Sequence, residues 1–142
     1  MPRAIKPFQE RPKSIVKTLL YPYTFYDMTI HVKRLAGEPI SVNIYIQVDR
    51  IRGKGFIIDS IPEMEDAEGE PMKPLFSDEK SEKIARRTAL YFIMKKFRIG
   101  LAPNIQINKK IDAYKVFWLI RDTSGLYIVD SVTGDLEEIS ST

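Results

Sequence analysis

Hydrophobic and polar residues alternate with period two over three stretches in the first half of the chain. In residues 21–34, Tyr26, Met28, Ile30 and Val32 fall on one side, and Asp27, Thr29, His31 and Lys33 fall on the other. That is the pattern of a half-buried strand. Residues 40–48 alternate throughout, with Ile40, Val42, Ile44, Ile46 and Val48 inward and Ser41, Asn43, Tyr45 and Gln47 outward. Residues 54–61 return as a third strand. Leu35-Ala-Gly-Glu-Pro39 and Asp49-Arg-Ile-Arg-Gly53 supply the turns. Three strands joined in sequence predict an antiparallel meander over residues 21–61.

Beyond Phe76 the period lengthens to about 3.6 residues, that of a helix. Ser77 or Asp78 is placed to cap its start. Asp78, Glu79 and Glu82 stand at the positive end of the helix dipole, and Lys95, Lys96 and Arg98 at the negative end. Gly100 suits a left-handed terminating residue, and Pro103 blocks continuation. A helix over residues 78–98 follows, and the rest of the chain is organised around it. Its apolar residues form two stripes. Ile84, Ala85, Thr88, Ala89 and Phe92 make one. Leu90, Ile93, Met94 and Phe97 make a second, on the opposite side. A helix lying on one sheet needs a single stripe, so the second is expected to be covered by the rest of the chain or, failing that, to be a surface for a protein partner or another copy of the chain.

Residues 102–110 carry Ile105 and Ile107 but no clear period, and residues 14–20 suit a helical turn or a strand equally. Residues 111–121 are rich in aromatic and β-branched side chains, and residues 126–129 and 136–139 flank a further turn, predicting a second meander over 111–139. The two meanders echo each other. Tyr23, Tyr26 and Met28 align with Tyr114, Phe117 and Leu119. Val48-Asp49 and Gly53 align with Val129-Asp130 and Gly134, and Ile58 with Ile139. In such a turn the Asp side chain accepts from amides two residues on, and Gly supplies positive φ.

The segment from Asp78 to Ile139, a helix followed by a meander that ends in Val129-Asp130-Ser131-Val132-Thr133-Gly134-Asp135, resembles a PepSY unit. The resemblance implies a helix packed across an antiparallel sheet. It also implies an inhibitory or binding role, since PepSY units often accompany secreted peptidases or lie at membranes. The fold expected is α+β: an antiparallel sheet built from two similar three-stranded meanders, with one long helix packed across it.

Composition narrows the function classes. At 142 residues the chain fits one domain with a real core. A basic, Pro-rich arm is expected over 1–13 and a single domain over 14–142, with an acidic loop at 62–76. No apolar run reaches the length of a membrane span, and the start lacks the apolar core of a secretory signal. The expected location is the cytoplasm, with no membrane partner. The absence of cysteine removes disulfides and thiol chemistry. The net charge of +3 is distributed in blocks. Arg3, Lys6, Arg11, Lys13 and Lys17 make the arm basic, Glu63, Glu65, Asp66, Glu68 and Glu70 make the loop acidic, and the helix is basic again.

Catalytic chemistry finds little to work with. His31 is the only histidine, on the polar side of its strand. Asp27 and Asp59 lie on polar strand positions rather than in a cleft. The acidic loop lacks the alternating ligands of a calcium loop, and no cofactor or metal site is expected. The chain reads as a non-enzymatic protein-interaction or assembly module, docking a partner or second copy through a sheet edge or through Leu90, Ile93, Met94 and Phe97. The alternative is nucleic-acid binding through the arm and Lys83, Arg86, Arg87, Lys95, Lys96 and Arg98. A peptidase-inhibitory module, carried by the resemblance alone, is the third reading.

Overall fold

A computed structural model describes residues 2–97 and 102–141. In chain order the elements are β1 (Arg3–Ile5), β2 (Ile15–Val32), β3 (Ile40–Asp49), β4 (Lys54–Ile58), β5 (Met64–Asp66), β6 (Glu70–Pro71), α1 (Asp78–Lys96), β7 (Asn104–Asp122), β8 (Gly125–Asp130) and β9 (Leu136–Ser141). The nine strands hydrogen-bond in the order β4-β3-β2-β7-β1-β5, with β6 on β2, β8 on β7 and β9 on β8.

The expected sheet of two antiparallel meanders is corrected. The sheet is mixed, because β1 runs parallel to β7 and β6 parallel to β2. Its strands also extend beyond the meanders. β1, β5 and β6 are two or three residues long and lie in the Pro-rich and acidic segments. So short a strand has no period to read, and only its pairing defines it. β2 begins at Ile15 and β7 at Asn104, so both stretches of ambiguous pattern are strand. No helix among the described residues is long and apolar enough to cross a membrane.

The chain divides into two compact units, one of Tyr23–Ile61 with Pro74–Asp112, the other of Met1–Pro22, Pro62–Lys73 and Ala113–Thr142. In the first, α1 lies against the inward face of β2 and β3. Tyr26, Met28, Ile30, Val32, Ile44, Ile46 and Val48 form the core with Ala85, Ala89 and Ile93. Each large aliphatic side chain so buried contributes about 1.5–3 kcal/mol relative to exposure. The alternation of β3 puts these residues on one face, and the small Ala85 and Ala89 let the helix approach. Gly55 on β4 lets it approach further, since a Cβ there would fall onto Thr88 Oγ1.

Ser77 caps the helix, its side chain accepting from the Lys80 amide at 3.2 Å. Asp78 and Glu79 occupy the first turn and Lys95 and Lys96 the last. The helix ends at Lys96, where Phe97 turns extended while its amide still donates to the Ile93 carbonyl at 2.9 Å. The expected ending at Arg98 and Gly100 lies outside the described residues.

The other unit builds a smaller core from Ala4, Leu20, Val116 and Trp118. Arg3–Ile5, within the stretch read as an arm, pairs with β5, and Ala4 is fully buried. The acidic segment is where the basic residues go. Arg3 meets Asp66 at 3.2 Å, Lys6 meets Glu63 at 3.7 Å and Lys17 meets Glu70 at 2.6 Å. These exposed pairs add little stability individually, but they occupy charges that would otherwise face a polyanion.

The two Val-Asp turns share one local structure. Asp49 Oδ1 accepts from the amides of Ile51 and Arg52, both at 2.9 Å, and Asp130 Oδ1 from Val132 and Thr133 at 2.8 and 3.1 Å. Gly53 and Gly134 take φ of 72° and 80°. The likeness extends to what each turn holds. The Arg50 carbonyl accepts from Leu75 and Phe76, and the Ser131 carbonyl from Phe8 and Gln9. The bare face of Gly53 seats the Phe76 ring, and that of Gly134 the Gln9 side chain. The strands feeding the turns are offset from the sequence alignment. Asp49 stands opposite Tyr23, and Asp130 opposite Phe117 rather than Tyr114.

Candidate functional site

The line of the helix that enters the core is Ser81, Ala85, Ala89 and Ile93. Ile93, assigned by its sequence position to the outward stripe, is fully buried. It lies one turn beyond Ala89 and extends the inner stripe. Leu90 and Phe97 are half-buried, and Phe97 packs against the same core. Of the four residues proposed as an interface, only Met94 is broadly exposed, at 57%. Its exposed neighbour is Tyr91, at 63%, which the two-stripe pattern does not single out. The second stripe is therefore a flank of the core plus a small outward patch.

The basic residues of the helix have separate fates. Lys83 pairs with Glu79 at 3.5 Å. Arg86 pairs with Glu82 at 3.3 Å and also donates to the Ile105 carbonyl at 3.1 Å, tying α1 to β7. Lys95 sits over the Tyr91 ring, 4.6 Å from its centroid, and Lys96 over Phe92 and Phe97. Arg87 is exposed. Arg98 lies outside the described residues.

On the opposite face of the sheet, Asp27 Oδ1 accepts from Asn43 at 2.8 Å and from Asn108 at 3.4 Å, and Asn108 donates to Thr29 at 2.7 Å. His31 Nδ1 lies 2.8 Å from Ser41 Oγ on the exposed surface. These are side chains satisfying one another across neighbouring strands, and His31 and Ser41 also border the hollow at the Ile40 end of β3. Among the described residues no group of three His, Cys, Asp or Glu side chains is arranged to hold a metal.

Charges cluster around the start of α1. Arg50, its side chain 8% exposed, contacts Asp78 at 2.9 Å and Asp112 at 3.6 Å. Lys110 reaches Asp78 at 3.3 Å, and its hydrogen bond and charge, with a smaller contribution from Arg50, hold the Asp78 carboxyl below its ordinary range. Tyr26 shares a buried hydrogen bond with Ser81 at 2.8 Å, and burial pushes its phenol up. These groups fasten helix to sheet.

The opening in this unit is at an edge. β4 pairs only with Tyr45–Asp49 of β3, while β3 pairs with β2 along its whole length. Among the described residues, Ile40–Ile44 have no strand on the side away from β2. Alternate residues of this overhang point their N–H and C=O groups outward. Beside the overhang runs a groove of 230 Å³ lined by Val42, Ile44, Ile57, Ile58, Phe92 and Lys96. At the other end a second hollow, of 390 Å³, is bordered by Val32, Lys33, Ile40 and Asn104. The period-two pattern identifies the strand, but the mismatch in length between β3 and β4 appears only in the pairing.

No protein-family model matches the chain, and neither a curated protein nor a solved structure does.

Proposed function

We propose that the chain is a non-enzymatic protein-interaction module that takes an extended segment onto the open edge of β3. One observation carries this reading. Ile40–Ile44 presents backbone with no strand partner among the described residues on the side away from β2, beside a groove in which Val42, Ile44, Ile57 and Phe92 offer apolar contact. Adding a strand there satisfies the outward backbone groups, while alternate side chains of the added strand drop into the groove. An alternating apolar and polar ligand is expected, since one of its faces meets Phe92 and the other meets water.

The test is to pan short random peptides displayed on phage against the native protein and against two edge variants, Val42→Lys and Ser41→Lys. Alternating extended peptides should be enriched on the native protein and lost on both variants. Because Ser41 is exposed, its variant keeps the fold if Val42→Lys does not. No enrichment on the native protein, or equal enrichment on Ser41→Lys, would remove the reading.

Nucleic-acid binding remains a second reading because Lys80, Lys83, Arg87 and Lys95 share the exposed face of α1 with Tyr91. An aromatic ring among cations suits a single strand. The arm adds less than its charge suggests, its Arg3 and Lys6 being paired with acids. Arg87→Glu with Lys95→Glu should then abolish a salt-dependent affinity for single-stranded DNA. Affinity that survives both reversals sets this reading aside. Arg86 is unsuitable for the test, because it also holds the Ile105 carbonyl.

A further inference from the structure

We infer that the segment occupying the β3 edge is the same edge of a second copy, giving a two-fold dimer whose sheet runs from β3 of one protomer into β3 of its partner. This inference rests on the docking reading above and names its partner.

The first argument is self-complementarity. The overhang reads Ile40-Ser41-Val42-Asn43-Ile44, nearly the same in both directions. Two such segments pairing antiparallel about Val42 place Val42 opposite Val42, Ile40 opposite Ile44, and Ser41 opposite Asn43. Apolar side chains meet on the face that carries the helix, and polar ones meet on the other. An isologous interface requires this match, because the same patch serves both sides.

The second argument is charge. Other edge strands carry charged residues that discourage pairing: Lys54 on β4, Glu65 and Asp66 on β5, Glu137 and Glu138 on β9. The overhang carries none. Its flanks carry opposite signs. Exposed Lys33 borders the Ile40 end, and exposed Asp59 borders the Ile44 end. Antiparallel pairing brings the Ile40 end of each protomer, with Lys33, to the Ile44 end of its partner, where Asp59 borders the groove beside Lys96, twice over in the dimer.

The third argument is room. A partner strand entering beyond β4 must leave that lane where its own hairpin begins. Pro39, immediately before Ile40, marks that departure and has no N–H to offer a ladder. The strand pair with its flanking Phe92 and Ile57 contacts is smaller than the roughly 1,200–2,000 Å² of a standard interface. A dissociation constant in the micromolar range, about 1–100 µM, is therefore expected.

Because the chain has no cysteine, an introduced one reports cleanly. Val42→Cys should form a disulfide-linked dimer under mild oxidation, since residues directly opposite in an antiparallel pair lie about 4.5–5.5 Å apart at Cα, within disulfide reach. Tyr91→Cys, exposed on the helix, should stay monomeric. If Val42→Cys does not fold, a mixture of Ser41→Cys and Asn43→Cys proteins replaces it. The mixed dimer should form readily and neither homodimer should, since like positions are then offset diagonally, about 7–8 Å apart. Sedimentation of the native protein should show a concentration-dependent dimer. Lys33→Glu should weaken it by about two- to five-fold, and adding Asp59→Lys should restore it. A native protein monomeric throughout this range, or crosslinking as strong in the Tyr91→Cys protein as in the Val42→Cys protein, overturns the dimer. If the monomer still enriches peptides that Ser41→Lys rejects, the dimer alone fails and the docking reading stands; if it enriches none, both fail.

Discussion

Arg50 holds the carbonyl oxygen of Phe76 with two hydrogen bonds, from Nε at 2.9 Å and from Nη2 at 2.7 Å. The carbonyl belongs to the residue just before the helix cap, and Arg50 belongs to the turn between β3 and β4. A sheet turn thus fixes where the helix begins. Replacing Arg50 by Met should cost about 1.5–3 kcal/mol, the range for a hydrogen bond made by a charged group. Asp78 and Asp112 are largely exposed, so water takes up much of their loss. Arg50→Lys should recover little, because one ammonium cannot reproduce the planar fork. Urea unfolding of the three proteins measures this; equal midpoints for Arg and Lys would show that the fork is unimportant.

The helix makes a sharp distinction between adjacent residues. Ile93 is fully buried and Met94 is 57% exposed. Ile93→Ala should destabilise by about 2–4 kcal/mol through lost burial and the cavity left behind. Met94→Ala should stay within about 0.5 kcal/mol. Thermal melts of the two variants check this, and similar losses would place Met94 in the core.

Gly55 and Thr88 are expected to couple. A methyl group at Gly55 must displace Thr88 Oγ1 and crowd Ile84 Cγ2 at 3.2 Å, at a cost of about 1–3 kcal/mol. Thr88→Ala in the same chain relieves part of that crowding. A double-mutant cycle should show an interaction energy of at least about 0.5 kcal/mol, whereas additive losses would mean that the helix can move away freely.

Acid should weaken the unit that holds Asp130. Burial pushes its carboxyl up, but the Lys115 ammonium, at 2.5 Å, and the amides of Val132 and Thr133 outweigh this and hold it below the ordinary range. A depressed carboxyl binds fewer protons in the folded state. Its contribution is complete above about pH 5 and is lost as pH falls through the ordinary Asp value of about 3.9 and below. Asp130→Asn should be less stable near neutrality and lose less on acidification. Stability profiles that run parallel from neutral to acid would show that this ion pair does not contribute.

Much of the unit that carries the helix is legible in residue order. The alternation of Ile40–Val48 specifies a half-buried strand, and Ser77 with the charges after it specifies where the helix starts. Asp49 and Asp130 also form the turns that their spacing predicts. What escapes is set by pairing. The two-stripe pattern misplaces Ile93 because the apolar residues of the last helical turns surround much of the helix, and only the position of the sheet says which side is inward. β1, β5 and β6 are too short for any pattern. The open edge of β3 has no signature in residue order, because the length of β4 is invisible until its partners are known. The echo between the two turns is legible, but the three-residue offset of their strands is not, since the aromatic residues of β7 allow more than one alignment and only the pairing with β8 sets the register.

The two matching grips differ in when they can close during synthesis. Arg50 and Phe76 lie 26 residues apart, whereas Gln9 and Val132, joined by a hydrogen bond at the second turn, lie 123 apart. A ribosome adding about 5–20 residues per second completes the first grip within seconds of making its turn. Phe8 and Gln9 must wait for nearly the whole chain before the carbonyl that receives them emerges. Through that interval the start of the chain remains without its partner strand on β7, because Ala4 pairs with Tyr114. Folding on the ribosome should therefore proceed in two stages, with Arg3–Ile5 able to pair early with β5 while Phe8 and Gln9 wait for the second turn until Ser131 has been made.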